Sequence, residues 1–204
     1  MTLVKVCGLM RPEDADAVSA AEADYAGMIL SPGFRRSVDE LRAAGISSRL
    51  ADAVTPVGVF VNAPIEFVAR FVEAGTVEAV QLHGDEDDDY IAAVRARLPE
   101  TGVVKAFTVR GPADIERANA SAADLVLLDN GQGTGETFDW SRIEGIARPF
   151  ILAGGLGPGN VTEAVRRLNP YAVDMSSGVE TNGEKDAGKI AAAVKAAREP
   201  RTPV

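Results

Sequence analysis

A single (β/α)8 barrel is the fold class this sequence predicts, and three observations predict it. Short apolar runs alternate with helix-period runs from one end of the chain to the other, the pattern of parallel strands joined by crossover helices. Most of the strand runs are continuously apolar, as expected of strands covered on both faces. The chemically unusual residues, among them the lone cysteine and the lone histidine, fall where those runs end. An open doubly wound sheet is the rival arrangement, but its usual Gly-x-Gly-x-x-Gly after the first strand is absent.

The first strand is expected at Leu3–Cys7, where Leu3, Val4 and Val6 favour extended backbone and Gly8 permits a sharp exit. Further strands are expected at Tyr25–Leu30, Pro56–Val61, Glu78–Leu82, Val103–Phe107, Leu125–Asp129, Phe150–Ala153 and Ala172–Met175. The intervening helices, each with Ala or Leu at helical spacing, are expected at Pro12–Ala23, Val38–Ala53, Pro64–Ala74, Glu86–Leu98, Pro112–Ala118, Ser141–Ile146, Gly159–Leu168 and Asp186–Arg198. Pro12, Pro64 and Pro112 suit first-turn positions, and Asp186 suits an N-cap. Residues 1–198 then form one barrel domain, and Glu199–Val204 a C-terminal tail.

A chain of 204 residues, 46% hydrophobic and 25% charged, has enough apolar material for one domain with a substantial core. Its one cysteine excludes an intrachain disulfide and suits a reducing compartment, so the cytoplasm is expected. Lys5 interrupts the apolar N-terminus, which lacks the pattern of a signal peptide, and no stretch reaches the length of a membrane span. A net charge of −9 argues against nucleic-acid or anionic-membrane partners. An anionic substrate must therefore be held by local groups.

Several motifs could carry chemistry. Cys7 ends the first strand, where barrels of this kind place their active sites. Phe150–Val161 leads through four glycines into a helix, and Ala172–Glu180 adds Ser176 and Ser177 before Gly178. Both loops offer close backbone N–H groups to an anion, in the two positions where such barrels often hold phosphate. Asp129 ends an apolar strand ahead of a glycine-rich loop, a costly place for a carboxylate without a role or partner. Gln81 and His83 share a face, and His83 reads more readily as a hydrogen-bonded rim residue than as a catalytic one. One histidine cannot build a metal centre of several imidazoles, so no such centre is expected; no cofactor is expected either. Arg35 and Arg36 follow the second strand, where a guanidinium could clamp a carboxylate.

Taken together, KVCGL at Lys5–Leu9, RPEDA at Arg11–Ala15, VGVFVN at Val57–Asn62, VQLHGDE at Val80–Glu86, LLDNGQGTGETFDW at Leu127–Trp140, LAGGL at Leu152–Leu156, SSGVE at Ser176–Glu180 and GEKD at Gly183–Asp186 resemble the phosphoribosylanthranilate isomerases. The motifs run through the chain in that family's order. The resemblance implies a metal-free Amadori rearrangement, with Cys7 as general base and Asp129 as general acid. It implies substrate contacts at Arg36, Gln81, His83 and Asp174, and phosphate contacts at Gly154, Gly155, Ser177 and Gly178. The family's usual Ser-Pro-Arg-x-Val is here Phe34-Arg35-Arg36-Ser37-Val38, which leaves Arg35 as an alternative to Arg36. It further implies a small phosphorylated substrate and a monomer. Lys5, two residues back on the same strand face, is the expected source of the positive charge that a Cys7 thiolate needs.

Overall fold

The computed structural model describes residues 1–129 and 139–199. The glycine-rich loop expected after Asp129 and the end of the expected tail, residues 130–138 and 200–204, lie outside the described residues.

Eight parallel strands close in sequence order into a barrel, β8 pairing back onto β1. They are β1 (Leu3–Cys7), β2 (Tyr25–Ile29), β3 (Thr55–Phe60), β4 (Ala79–Leu82), β5 (Gly102–Thr108), β6 (Leu125–Asp129), β7 (Phe150–Leu152) and β8 (Ala172–Met175). Each lies within two residues of its expected position at either end. The helices are α1 (Pro12–Ala20), α2 (Glu40–Ser47), α3 (Ile65–Glu73), α4 (Asp88–Arg97), α5 (Pro112–Ala120), α6 (Val161–Leu168) and α7 (Ala187–Ala197). No helix among the described residues is long and apolar enough to cross a membrane.

The departures have local causes. The expected helix at Ser141–Ile146 is a single 3-10 turn, Trp140–Ile143: the Asp139 carboxylate takes the Ser141 N–H, and Gly145 leaves the helical region at φ 91°. Helix α2 is half the expected length, starting where Asp39 accepts from Arg42 N and ending at Ser48, whose hydroxyl bonds the Gly45 carbonyl. Helix α1 stops short of Ala23 because Glu22 turns left-handed at φ 57°. Pro64 caps α3 from outside its first turn, whereas Pro12 and Pro112 open their helices and Asp186 caps α7 as expected.

Two apolar layers hold the barrel. Outward-facing residues such as Val4, Val6, Val80 and Leu128 pack under the helices, while Ala106, Leu127, Ile151 and Ala172, with Leu3, Val104 and Leu125 against them, fill the barrel's interior. Strand periodicity of two makes this division. In β1 it sends Val4 and Val6 outward and leaves Leu3, Lys5 and Cys7 on the interior face, in rising order toward the mouth.

Candidate active site

At the C-terminal mouth, Cys7 of β1, Gln81 of β4 with His83 just beyond it, Asp129 of β6, and Asp174 of β8 line one cavity of about 270 Å3. Gly154 and Gly155 after β7 and Ser176 and Ser177 after β8 close one side. Ile29, Phe34, Val59 and Val61 form an apolar wall on the other. Larger hollows of about 610 Å3, between α4 and α5, and about 1040 Å3, at the N-terminal ends of β1, β7 and β8, contain neither Cys7 nor Asp129.

Beneath the mouth, the Lys5 ammonium donates to Asp174 Oδ2 at 2.9 Å, with both side chains almost wholly buried. Desolvating such a pair costs several kcal/mol per ion, so an apolar pair would serve stability at least as well, and the charges point to chemistry. A Cβ on Gly27 would lie 2.7 Å from Cys7 Sγ and 2.9 Å from Lys5 Nζ; the glycine lets thiol and ammonium share the space over β2. Burial pulls the Lys5 pKa down, but the Asp174 carboxylate and Cys7 outweigh it and hold Lys5 charged. For Cys7 burial wins: the thiol sits above its ordinary value of 9.0, with Lys5 and Lys185 opposing the rise and Asp174 adding to it. Lys5 is thus where the sequence placed it, although its charge offsets only part of the cost of burial.

On the far side of the cavity, Gln81 Nε2 and His83 Nδ1 lie 2.9 Å apart, and His83 Nε2 faces Asp129 Oδ2 at 3.8 Å. Burial lowers the His83 pKa against the pull of Asp129, so the ring is neutral at neutral pH. An amide N–H donated to Nδ1 leaves the ring proton on Nε2, toward Asp129. The loop holding His83 is fixed by Glu86, which accepts from Asn62 N at 2.6 Å, Gly84 N at 2.8 Å and Lys105 Nζ at 3.0 Å. Glu86 is therefore a buried tie.

Arg36 rather than Arg35 lines the cavity, and Arg35 is 64% exposed. The Arg36 stem crosses the end of β1, passing 2.6 Å from where a Cβ on Gly8 would stand. Its guanidinium is held by Glu180, through Nε at 2.6 Å and Nη2 at 2.9 Å. Sequence reasoning missed Glu180 and its neighbour Lys185, which sit on a two-stranded hairpin, β9 (Glu180–Thr181) and β10 (Glu184–Lys185). The signal was present: Asn182-Gly183 between short polar runs is a hairpin turn, and both residues have positive φ, 53° and 84°.

Of the expected phosphate residues, Gly154 and Gly155 adopt φ of 95° and 63°, and Asn160 shapes their loop by donating to Gly155 O and accepting from Gly157 N, both at 2.9 Å. Gly178 does not line the cavity. A Cβ there would collide with the Leu156 carbonyl, so this glycine lets the loops after β7 and β8 pack backbone against backbone.

Over residues 4–196 the chain matches the family model described as N-(5'-phosphoribosyl)anthranilate (PRA) isomerase. The chain belongs to that family. It is 43% identical over 203 residues to the N-(5'-phosphoribosyl)anthranilate isomerase of Endomicrobium trichonymphae, covering 97% of this chain and 99% of the relative. Among crystal structures, the phosphoribosyl anthranilate isomerase of Thermus thermophilus superposes with a TM-score of 0.85 at 38% identity, covering 96% of this chain and 98% of that one. A family member in complex with reduced 1-(o-carboxyphenylamino)-1-deoxyribulose 5-phosphate matches with a TM-score of 0.85 at 36% identity, covering 97% and 99%.

Proposed function

We propose that this mouth converts N-(5'-phosphoribosyl)anthranilate into 1-(2-carboxyphenylamino)-1-deoxyribulose 5-phosphate, an Amadori rearrangement of tryptophan biosynthesis, with Asp129 as general acid and Cys7 as general base. The observation that carries this reading is a thiol and a carboxylate brought to one cavity by strands three apart around the barrel. Asp129 gives a proton to the ribose ring oxygen, the C1′–O bond breaks, and an open-chain Schiff base results. Cys7 then removes the C2′ proton, and the electron pair moves into C1′–C2′ to give an enolamine. Protonation at C1′, with loss of the proton from the C2′ hydroxyl, yields the ketone. The ammonium groups of Lys5 and Lys185 offset part of the rise that burial imposes on the Cys7 thiol.

Binding follows the same map. The phosphate goes to the backbone N–H groups of Gly154, Gly155 and Ser177, with the Ser177 hydroxyl. Gln81 Oε1 and Asp174 Oδ1 are buried without a partner among the described residues, and they accept sugar hydroxyls. The aromatic ring packs on Phe34, Ile29 and Val59 with its carboxylate on Arg36, and His83 keeps Asp129 oriented. The resemblance to the family suggests a monomer, the state we propose for this chain. The unpaired thiol suits the reducing cytoplasm.

The test is fluorescence-monitored turnover of freshly generated phosphoribosylanthranilate by wild type and Asp129→Asn. Wild type turns over, and the variant is slower by about 10² to 10⁴. A folded wild type that leaves the substrate to its background decay overturns the reading.

A further inference from the structure

Arg36 is not a free cation at the rim. Nε and Nη2, the side-on edge of its guanidinium, are both committed to the Glu180 carboxylate at 2.6 and 2.9 Å. A guanidinium is planar and rigid, so fixing one edge fixes the others. Among the described residues, the edge left over is the end-on pair, Nη1 and the second hydrogen of Nη2, on a side chain that lines the cavity. Glu180 is itself held: its side chain is 5% exposed, Lys185 Nζ donates to Oε1 at 2.8 Å, and Arg35 Nη2 donates to Oε2 at 2.9 Å. Its backbone carbonyl accepts from Lys189 Nζ at 2.6 Å. Burial alone would raise the carboxyl's pKa, but the hydrogen bonds from Arg36 and Lys185 bring it down to about 2.

The charge count is unbalanced in an informative way. Arg35, Arg36 and Lys185 all meet one carboxylate, leaving an excess of positive charge beside the cavity. A structural ion pair needs one partner; this arrangement has room for a second anion. The clamp also spans the mouth, tying the loop after β2 to the hairpin after β8 across the end of β1.

We propose that Glu180 is a positioning residue for substrate recognition: it grips Arg36 side-on so that the end-on edge meets the anthranilate carboxylate as a second bidentate pair. This rests on the reading that Arg36 binds that carboxylate. The opposite role is a placeholder, a carboxylate that the substrate must displace. The two roles differ in sign: losing a positioner weakens substrate binding, whereas losing a placeholder tightens it.

The experiment compares Glu180→Gln and Arg36→Gln with wild type, measuring KM, kcat and competitive inhibition by two ligands. One inhibitor is the reduced product analogue; the other is the same molecule without its ring carboxylate. In Glu180→Gln, KM and the inhibition constant of the carboxylated analogue rise about tenfold, kcat stays within about threefold, and the analogue lacking the carboxylate binds as it does to wild type. Unchanged or tighter binding of the carboxylated analogue overturns the proposal, as does an equal loss for both analogues, the mark of general damage to the pocket. Arg36→Gln separates the two claims. If it spares the carboxylated analogue, the assignment of Arg36 has failed; if it weakens that analogue while Glu180→Gln does not, only the positioning role has failed. Should Glu180→Gln not fold, Glu180→Asp retracts the oxygens by one methylene and makes the same comparison.

Discussion

The floor and the mouth of this barrel are made by the same eight strands and differ completely in chemistry. At the floor, Leu3, Val104, Leu125, Leu127, Ile151 and Ala172 point inward and form an apolar plug. One or two inward positions further along, those strands and their neighbours present Lys5, Cys7, Gln81, Asp129 and Asp174. The side-chain period of a strand explains the shared direction, and position along the strand sets the role. Low in the barrel an inward residue contributes packing. High in the barrel an inward polar residue is shielded from bulk water yet open to a ligand, the setting in which proton transfer can be tuned.

The comparison breaks if floor residues matter for chemistry. Leu127 is fully buried in the plug, and Leu127→Ala removes its packing at a cost of about 2–5 kcal/mol in stability. Denaturant unfolding should register that loss while KM for substrate stays at the wild-type value. A change in KM as large as the change in stability would show that floor and mouth are not separable.

The layer between them sharpens it. Lys5 and Asp174 act on Cys7 with opposite signs, the ammonium lowering the thiol's pKa and the carboxylate raising it. An ultraviolet titration of the thiolate should therefore move to higher pH in Lys5→Met and to lower pH in Asp174→Asn. Because the wild-type thiol already lies above 9.0, base-form Cys7 grows with rising pH, and the ascending limb of kcat/KM should follow each variant in the same direction. Identical titrations in all three proteins would remove the ion pair from any account of Cys7.

Much of this was legible in the sequence. The eight apolar runs ended where the strands end, and Leu3–Cys7, Leu125–Asp129 and Ala172–Met175 matched to the residue. Cys7 and Asp129 were findable because polar groups that terminate apolar strands of a barrel have nowhere to go but the mouth. Helix lengths were less legible: Gly145 at φ 91° and the Ser48 hydroxyl on the Gly45 carbonyl ended helices that periodicity would have continued. Glu180 was hidden for a different reason. Its partners Arg35 and Arg36 lie some 145 positions away in the chain, and only closure of β8 against β1 and β2 brings them together. Gly178 shows a packing need that the sequence did not reveal, its missing Cβ admitting the Leu156 carbonyl.

The most direct test of the division between floor and mouth is to measure turnover of phosphoribosylanthranilate and thermal unfolding together on Cys7→Ala. Cys7 is buried but sits at the top of the barrel, where the account assigns chemistry rather than packing. The predicted result is turnover reduced by about 10² to 10⁴, with the unfolding midpoint within a few degrees of wild type. Near-normal turnover from the folded variant would contradict the account, because the strand end that organises the mouth would then carry no base.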